Sequence, residues 1–259
     1  MKKMNIEKVK EYIREMYSLK PLYSNYFNQT LTSDDYYSKT DHTLLIVKPA
    51  TGCNRIYVLS DDSEDAAKEL SALKGTSVLN IPSKGEITQW EMLMQKSGFE
   101  LIEVYERFYI TKITPKEQIG IITYAVPEQE DEIYHLLYDS NFFSVYTDYL
   151  PSHDELKSFI KRESVIINVA GGQIKGVLIF TINGQKLYSH LWIDKSNDGL
   201  KLFFDLFNIM VAKNVNYMYC WINSKNKKNI TINKLLGAKP DGLKDYTFIK
   251  NNKNETTNH

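Results

Sequence analysis

Cysteine is almost missing from this 259-residue chain. Cys53 and Cys220 stand far apart without a Cys-x-x-Cys spacing, which excludes a disulfide framework and a thiolate metal site, so no metal is expected. Net charge is missing as well. Thirty-two basic side chains balance 32 acidic ones, and each half is close to neutral, so no overall field draws the chain to nucleic acid or to a membrane surface. No segment approaches the roughly 18 uninterrupted apolar residues of a membrane span. The start, MKKMNIEKVKEYIREMY, has lysines but no apolar leader segment. The expectation is a cytoplasmic protein without a nucleic-acid or membrane partner. The last residues, 251–259, lack apolar side chains and are expected to be a disordered tail.

Apolar periodicity reveals an internal repeat. In the second half, AVPEQEDEIYHLLYDSN sets Ile133, Leu136 and Leu137 on one helical face. SHDELKSFIKRE offers a second helix with Ser152 or Asp154 as its N-cap. Three strands follow at 164–170, 174–182 and 186–193, separated by Gly171-Gly172 and by Asn183-Gly184, a strong hairpin signal. A helix at 199–213, a strand at 217–222, a helix over NITINKLLGA and a strand over DYTFIK complete the pattern.

The first half repeats it in shorter form: a hairpin of HTLLIVKP and NRIYVLSD, a helix, a strand over TSVLNIP, a helix and a closing strand over FELIEVYERFYITKI. Gly98 and Gly237 end corresponding helices, and each is followed about eleven residues later by an aromatic, Tyr109 and Phe248. The fold class expected is mixed α/β, in two tandem domains at 1–113 and 120–250. Each would be a mostly antiparallel sheet continuing into a βαβ unit. One single domain with coincidental spacing is the competing organisation.

The stretch INVAGGQIKGVLIFTINGQKLYSHLWI, with Gly172-x-Ile174-x-Gly176 leading into its long strand, resembles the central meander of the GNAT superfamily of N-acetyltransferases. YCWINSKNKKNITINKLLGAKPDGLKDYTFI resembles that family's later motif, and WEMLMQKSGFELIEVYERFYI is a looser counterpart in the first half. The whole chain is similar to tandem GNAT proteins with a degenerate N-terminal half. The resemblance implies that the fourth and fifth strands splay apart to bind the pantetheine amides of acetyl-CoA or another acyl-CoA. It also implies that the pyrophosphate sits on N–H groups at the start of the next helix.

That assigns Leu191, Trp192, Ile193, Lys195, Ser196, Asn197, Asp198, Gly199, Asn223 and Asn226 to cofactor binding. The family's loop usually reads Arg/Gln-x-x-Gly-x-Gly/Ala, whereas this one is Asp194-Lys195-Ser196-Asn197-Asp198-Gly199. Lys195 and Lys201 are the charges that could compensate, and Asp194 and Asp198 would repel phosphate. An ordinary turn capped by Ser196, Asn197 or Asp198 is the alternative reading of the same residues. The corresponding loop of the first half, LSDDSEDAAKEL, is acidic and glycine-free, which argues against a second cofactor site.

For chemistry, His190 in the fourth strand is the candidate base, and Tyr246 in the last strand the candidate acid. Asn233 stands where the family often has a tyrosine acid. By alternation Tyr188 and Trp192 are expected on the face of His190. Cys220 reads as a structural thiol, and SNFFSVYTDYL (140–150) falls where the family shapes its acceptor pocket.

The implied activity is an acyl-CoA-dependent N-acyltransferase of the C-terminal half, with a small-molecule or peptide amine as acceptor and a homodimer left open. Two alternatives share the resemblance. One is a catalytically inactive GNAT-like protein that binds a ligand or partner. The other is a Fem-like aminoacyl transferase, against which the neutral charge and short length count.

Overall fold

The computed structural model describes residues 1–26, 30–117, 120–196 and 200–251. In chain order its first elements are β1 (Lys2–Lys3), α1 (Ile6–Ser18), β2 (Tyr23–Ser24), β3 (Tyr36–Lys39), β4 (Thr43–Ala50), β5 (Cys53–Ser60), α2 (Ser63–Ser71), β6 (Ser77–Ser83), α3 (Thr88–Lys96) and β7 (Glu100–Ile110). They continue as α4 (Glu130–Tyr138), α5 (His153–Lys161), β8 (Val165–Ala170), β9 (Gln173–Asn183), β10 (Lys186–Asp194), α6 (Lys201–Ala212), β11 (Tyr217–Asn223), α7 (Lys227–Leu235) and β12 (Lys239–Lys250). The chain forms two compact units, one of residues 1–104 with 244 onward and one of Tyr105–Leu243. The expected tail, apart from residue 251, lies outside the described residues.

In the N-terminal unit the strands run β1-β3-β4-β5-β6-β12. All neighbours are antiparallel except the parallel pair β5–β6, which α2 connects. The run Leu44-Leu45-Ile46-Val47 is apolar without alternation because both faces of β4 are covered. Leu45 and Val47 pack with α2 and α3 residues Leu70 and Met94, while Leu44 and Ile46 pack with Val9 and Met16 of α1. The helix α1 was not expected, although Ile6, Val9, Ile13 and Met16 carry its periodicity and Asn5 caps it through the Lys8 N–H.

The C-terminal unit repeats the plan as β7-β11-β10-β9-β8, antiparallel apart from β10–β11, which α6 connects. One sheet face packs on α6 through Phe180, Leu202, Phe207 and Met218, the other on α4 and α5 through Ile133, Leu137, Leu156 and Ile179. Ser152 caps α5 in a reciprocal box with Glu155. Gly171 and Gly172, both at positive φ, form the two-residue turn closed by Ala170–Gln173. The next turn is shifted from expectation: Asn183 pairs with Lys186, so Gly184 and Gln185 are its central residues.

The units also differ from contiguous segments 1–113 and 120–250. Residues Tyr105–Ile110 of β7 pair with β11 in the C-terminal unit, and Lys244–Lys250 of β12 pair with β6 in the N-terminal one. The closing strands are exchanged between the repeats. Both carry similar apolar and aromatic alternation, which fixes a strand's faces but not the edge it joins.

Candidate functional site

The site of the C-terminal unit begins with one unpaired residue. Along β9–β10, Ser189 lies opposite Phe180 and Leu191 opposite Ile179, which leaves His190 as a bulge. The bulge inverts the alternation of β10. Leu187 faces the α6 core, but beyond the bulge Leu191 and Ile193 face the α4–α5 core. Trp192 therefore turns toward α6, its ring centroid 4.7 Å from that of Phe203. The expected common face for His190, Tyr188 and Trp192 does not form as such: Tyr188 stays beside His190 at 4.1 Å, and Trp192 is on the other side.

At the same bulge the parallel ladder ends. It runs from Lys186–Tyr217 to Ser189–Cys220, and no register pair joins β10 to β11 beyond it. The outer edges stay occupied, with Asp194 opposite Gly176 on β9 and Asn223 opposite Tyr105 on β7. The two strands thus form a fork whose inner edges, Leu191–Ile193 and Trp221–Ile222, have no ladder pairing with each other, while the Asn223 carbonyl at the end of β11 accepts the Asn226 N–H at 2.9 Å. Backbone groups without a strand partner in a half-buried cleft call for a hydrogen-bonding occupant. The Trp192 indole N–H, also buried, has no partner among the described residues.

The loop after β10 is pinned at its start. The Ser196 N–H donates to Asp194 Oδ1 at 2.8 Å, Asn168 Nδ2 donates to the Ser196 hydroxyl at 2.8 Å, and the Lys195 N–H donates to the Lys175 carbonyl at 2.8 Å. Gly176 makes room for this arrangement, since a Cβ there would stand 2.8 Å from Asp194 Cγ and 3.0 Å from Leu202 Cδ1. The Lys195 ammonium lies over the Phe142 ring, and that of Lys201 is held by the buried Asp205 and the Ile121 carbonyl. Leu200 is the N-cap residue of α6 and makes no side-chain cap bond. The expected positions Asn197, Asp198 and Gly199 lie outside the described residues. At the mouth of the fork, Asn223 Oδ1 accepts from the Lys225 N–H and Asn226 Oδ1 from the Asn229 N–H, so both side chains shape the turn into α7.

His190 sits on the α5 side, Nε2 2.7 Å from the Thr181 hydroxyl and its ring edge-on to Phe159. Burial, reinforced by the Arg162 charge, lowers its pKa to about 4, so it is neutral at physiological pH and only weakly basic. Tyr246 belongs to the other unit, opposite Ile81, and is not brought to His190 within the C-terminal unit. Asn233 is buried, with Nδ2 bonded to the Asn229 carbonyl and Oδ1 3.6 Å from Cys220 Sγ. Burial pushes the Cys220 thiol up to about 12, which keeps it protonated.

Sequence reasoning missed several polar anchors of this face. Tyr105 donates to Asp148 at 3.0 Å, which braces the 140–150 loop, and burial raises the phenol's pKa. Arg107 pairs with Asp241 and lies over the Tyr219 ring, which stacks on Tyr188. The only available signal was the clustering of aromatics on YERFY and YMYCW. Glu130, Asp131 and His153 bring donor atoms within 4.8 Å of one another, but Lys157 lies 4.0 Å from Glu130 and the His153 ring stacks on Tyr134, an ion-pair cluster.

No protein-family model and no curated protein matches the chain. Solved structures do. A GCN5-related N-acetyltransferase from Sphaerobacter thermophilus superposes with a TM-score of 0.58 at 11% identity, over 93% of this chain and 84% of that one. A GNAT-family acetyltransferase from Colwellia psychrerythraea gives 0.54 at 12% identity, over 96% and 98%. The fold is that of the GCN5-related N-acetyltransferases. A tandem GNAT protein of the clavulanic acid biosynthesis pathway also matches, with a TM-score of 0.50 at 11% identity, over 83% and 82%. The bulged β10, the forked β10–β11 pair and the helix α6 therefore stand within a GNAT fold. No described helix is long and apolar enough to cross a membrane.

Proposed function

We propose that the chain is an acyl-CoA-dependent N-acyltransferase working through its C-terminal unit, with acetyl-CoA as the expected donor and an amine of a small molecule or peptide as acceptor. The observation that carries this is the fork beyond Ser189–Cys220, whose unpaired edges suit the amides of a pantetheine arm. The backbone of Leu191, Trp192 and Ile193 would hold that arm. Bound acyl-CoA supplies an acyl group activated as a thioester. The chain's own part is to seat the donor and to present the acceptor amine from the face of Tyr188, Tyr219 and Phe159.

Calorimetry tests the reading. Acetyl-CoA and CoA are expected to bind in the micromolar range, and absence of heat at millimolar ligand would reject it. A second reading, a GNAT-fold binding protein without turnover, draws support from the acid–base groups. His190 is a weak base bonded to Thr181, and Asn233 is buried and bonded. Acetyl-CoA binding without thiol release across a panel of amines would favour that second reading.

A further inference from the structure

The N-terminal unit has the same fork, and the chain itself fills it. Its parallel ladder is shorter, only Asn54–Ser77 and Arg55–Val78. β4 covers one edge of β5 along its whole length, so the edge that diverges from β6 would be bare from Ile56 onward. It is not bare. β2 pairs there, Tyr23 opposite Ser60 and Ser24 opposite Leu59, and the Asn25 N–H donates to the Val58 carbonyl at 3.3 Å.

The Asn25 side chain then spans the fork. Its Nδ2 donates to the Ile56 carbonyl of β5 at 3.0 Å and to the Asn80 carbonyl of β6 at 3.1 Å, while its Oδ1 accepts the Val58 N–H at 2.7 Å. Every polar atom of a side chain only 2% exposed is used. A primary amide bonded to both prongs is the kind of occupant that the open fork of the C-terminal unit lacks. Tyr23 packs edge-on to Trp90, 5.2 Å between ring centroids, and the Tyr17 hydroxyl of α1 donates to the Tyr26 carbonyl at 2.9 Å, so the segment is tied at both ends.

The anion position is filled in the same way. At the start of α2, the helix that follows β5, the Asp62 carboxylate accepts the Glu64 and Asp65 N–H groups at 2.8 Å each. Asp61, Glu64 and Asp65 lie beside it in sequence, so a second anion there would meet a cluster of carboxylates whose cationic neighbours, His42 and Lys96, are already paired to Asp61 and Glu64.

We propose that Tyr23–Asn25 and Asp62 are built-in occupants of the N-terminal fork, so that each chain offers one fork, the C-terminal one, to a ligand. The class of that ligand rests on the acyltransferase reading; the strap does not. Hydrogen exchange on the full chain, with and without saturating acetyl-CoA, tests it, together with binding stoichiometry and the Asn25→Ala variant. The amides of Val58–Ser60 are expected to exchange slowly without ligand and to be unchanged by acetyl-CoA, with one ligand bound per chain. Asn25→Ala should speed their exchange by about tenfold or more, through easier local opening.

Fast exchange at Val58–Ser60 in the unliganded wild-type protein, protection there on adding acetyl-CoA, or two ligands per chain would overturn the proposal. So would an Asn25→Ala variant with unaltered exchange. If that variant does not fold, the wild-type exchange decides alone. No acetyl-CoA binding at all, with Val58–Ser60 still protected, would reject the acyltransferase reading and leave the strap standing.

Discussion

Gly176→Ala is the sharpest test of how the loop after β10 is built. The glycine has no left-handed φ to defend, so its reason is space. An added Cβ would stand 2.8 Å from Asp194 Cγ and 3.0 Å from Leu202 Cδ1, where carbon contacts settle at about 3.5–4.0 Å. Neither neighbour gives way cheaply. Asp194 is held by the Ser196 N–H and lies within reach of Asn168, and Leu202 is fully buried in the α6 core. Overpacking of this kind costs roughly 1–3 kcal/mol, and replacing a strand glycine by alanine returns about 0.5–1 kcal/mol. The net loss is up to about 2.5 kcal/mol, which for a chain of this size lowers Tm by up to roughly 10 °C. Thermal unfolding followed by circular dichroism measures it, and calorimetry should show weaker acetyl-CoA binding as Asp194 is displaced. A Tm above wild type would refute the close-packing account of this glycine.

Two titrations act with opposite sign. His190, lowered from 6.5 to about 4 by burial, binds its proton less readily folded than unfolded. Stability should therefore fall as pH drops from about 6.5 toward 4, by up to about 3 kcal/mol, and a His190→Gln variant should flatten that slope in pH-dependent denaturation. Asp245 is raised from 3.8 to about 6 by burial, against the Asn80 amide that donates to it. It costs stability as pH rises through that window, so Asp245→Asn should raise Tm by a few degrees at pH 7.5 and by little at pH 4; equal effects at both would contradict it.

Much of the fold was legible because its signals are local. Gly171-Gly172, the Ser152 cap of α5 and the repeated order of strands and helices each follow from residues adjacent in sequence. The fork lay where the GNAT resemblance placed it. What stayed hidden depends on partners rather than on patterns. The bulge at His190 leaves no mark in composition, yet it turns Trp192 away from Tyr188. The exchange of β7 and β12 cannot be read from alternation, which specifies faces and not edges. Asn25 looks like any polar residue in a connecting loop, and only the diverging strands Ile56–Val58 and Asn80 show why an amide stands there. The α1 periodicity was present in Ile6, Val9, Ile13 and Met16 but hidden among charged residues.

The central claim is that the C-terminal fork alone receives the donor. Amide exchange read residue by residue on acetyl-CoA addition tests it most directly. Protection is expected at Leu191–Ile193 and Trp221–Ile222, with no change at Ile56–Ser60. Saturable binding that leaves the amides of Leu191–Ile193 and Trp221–Ile222 unaffected would contradict the account.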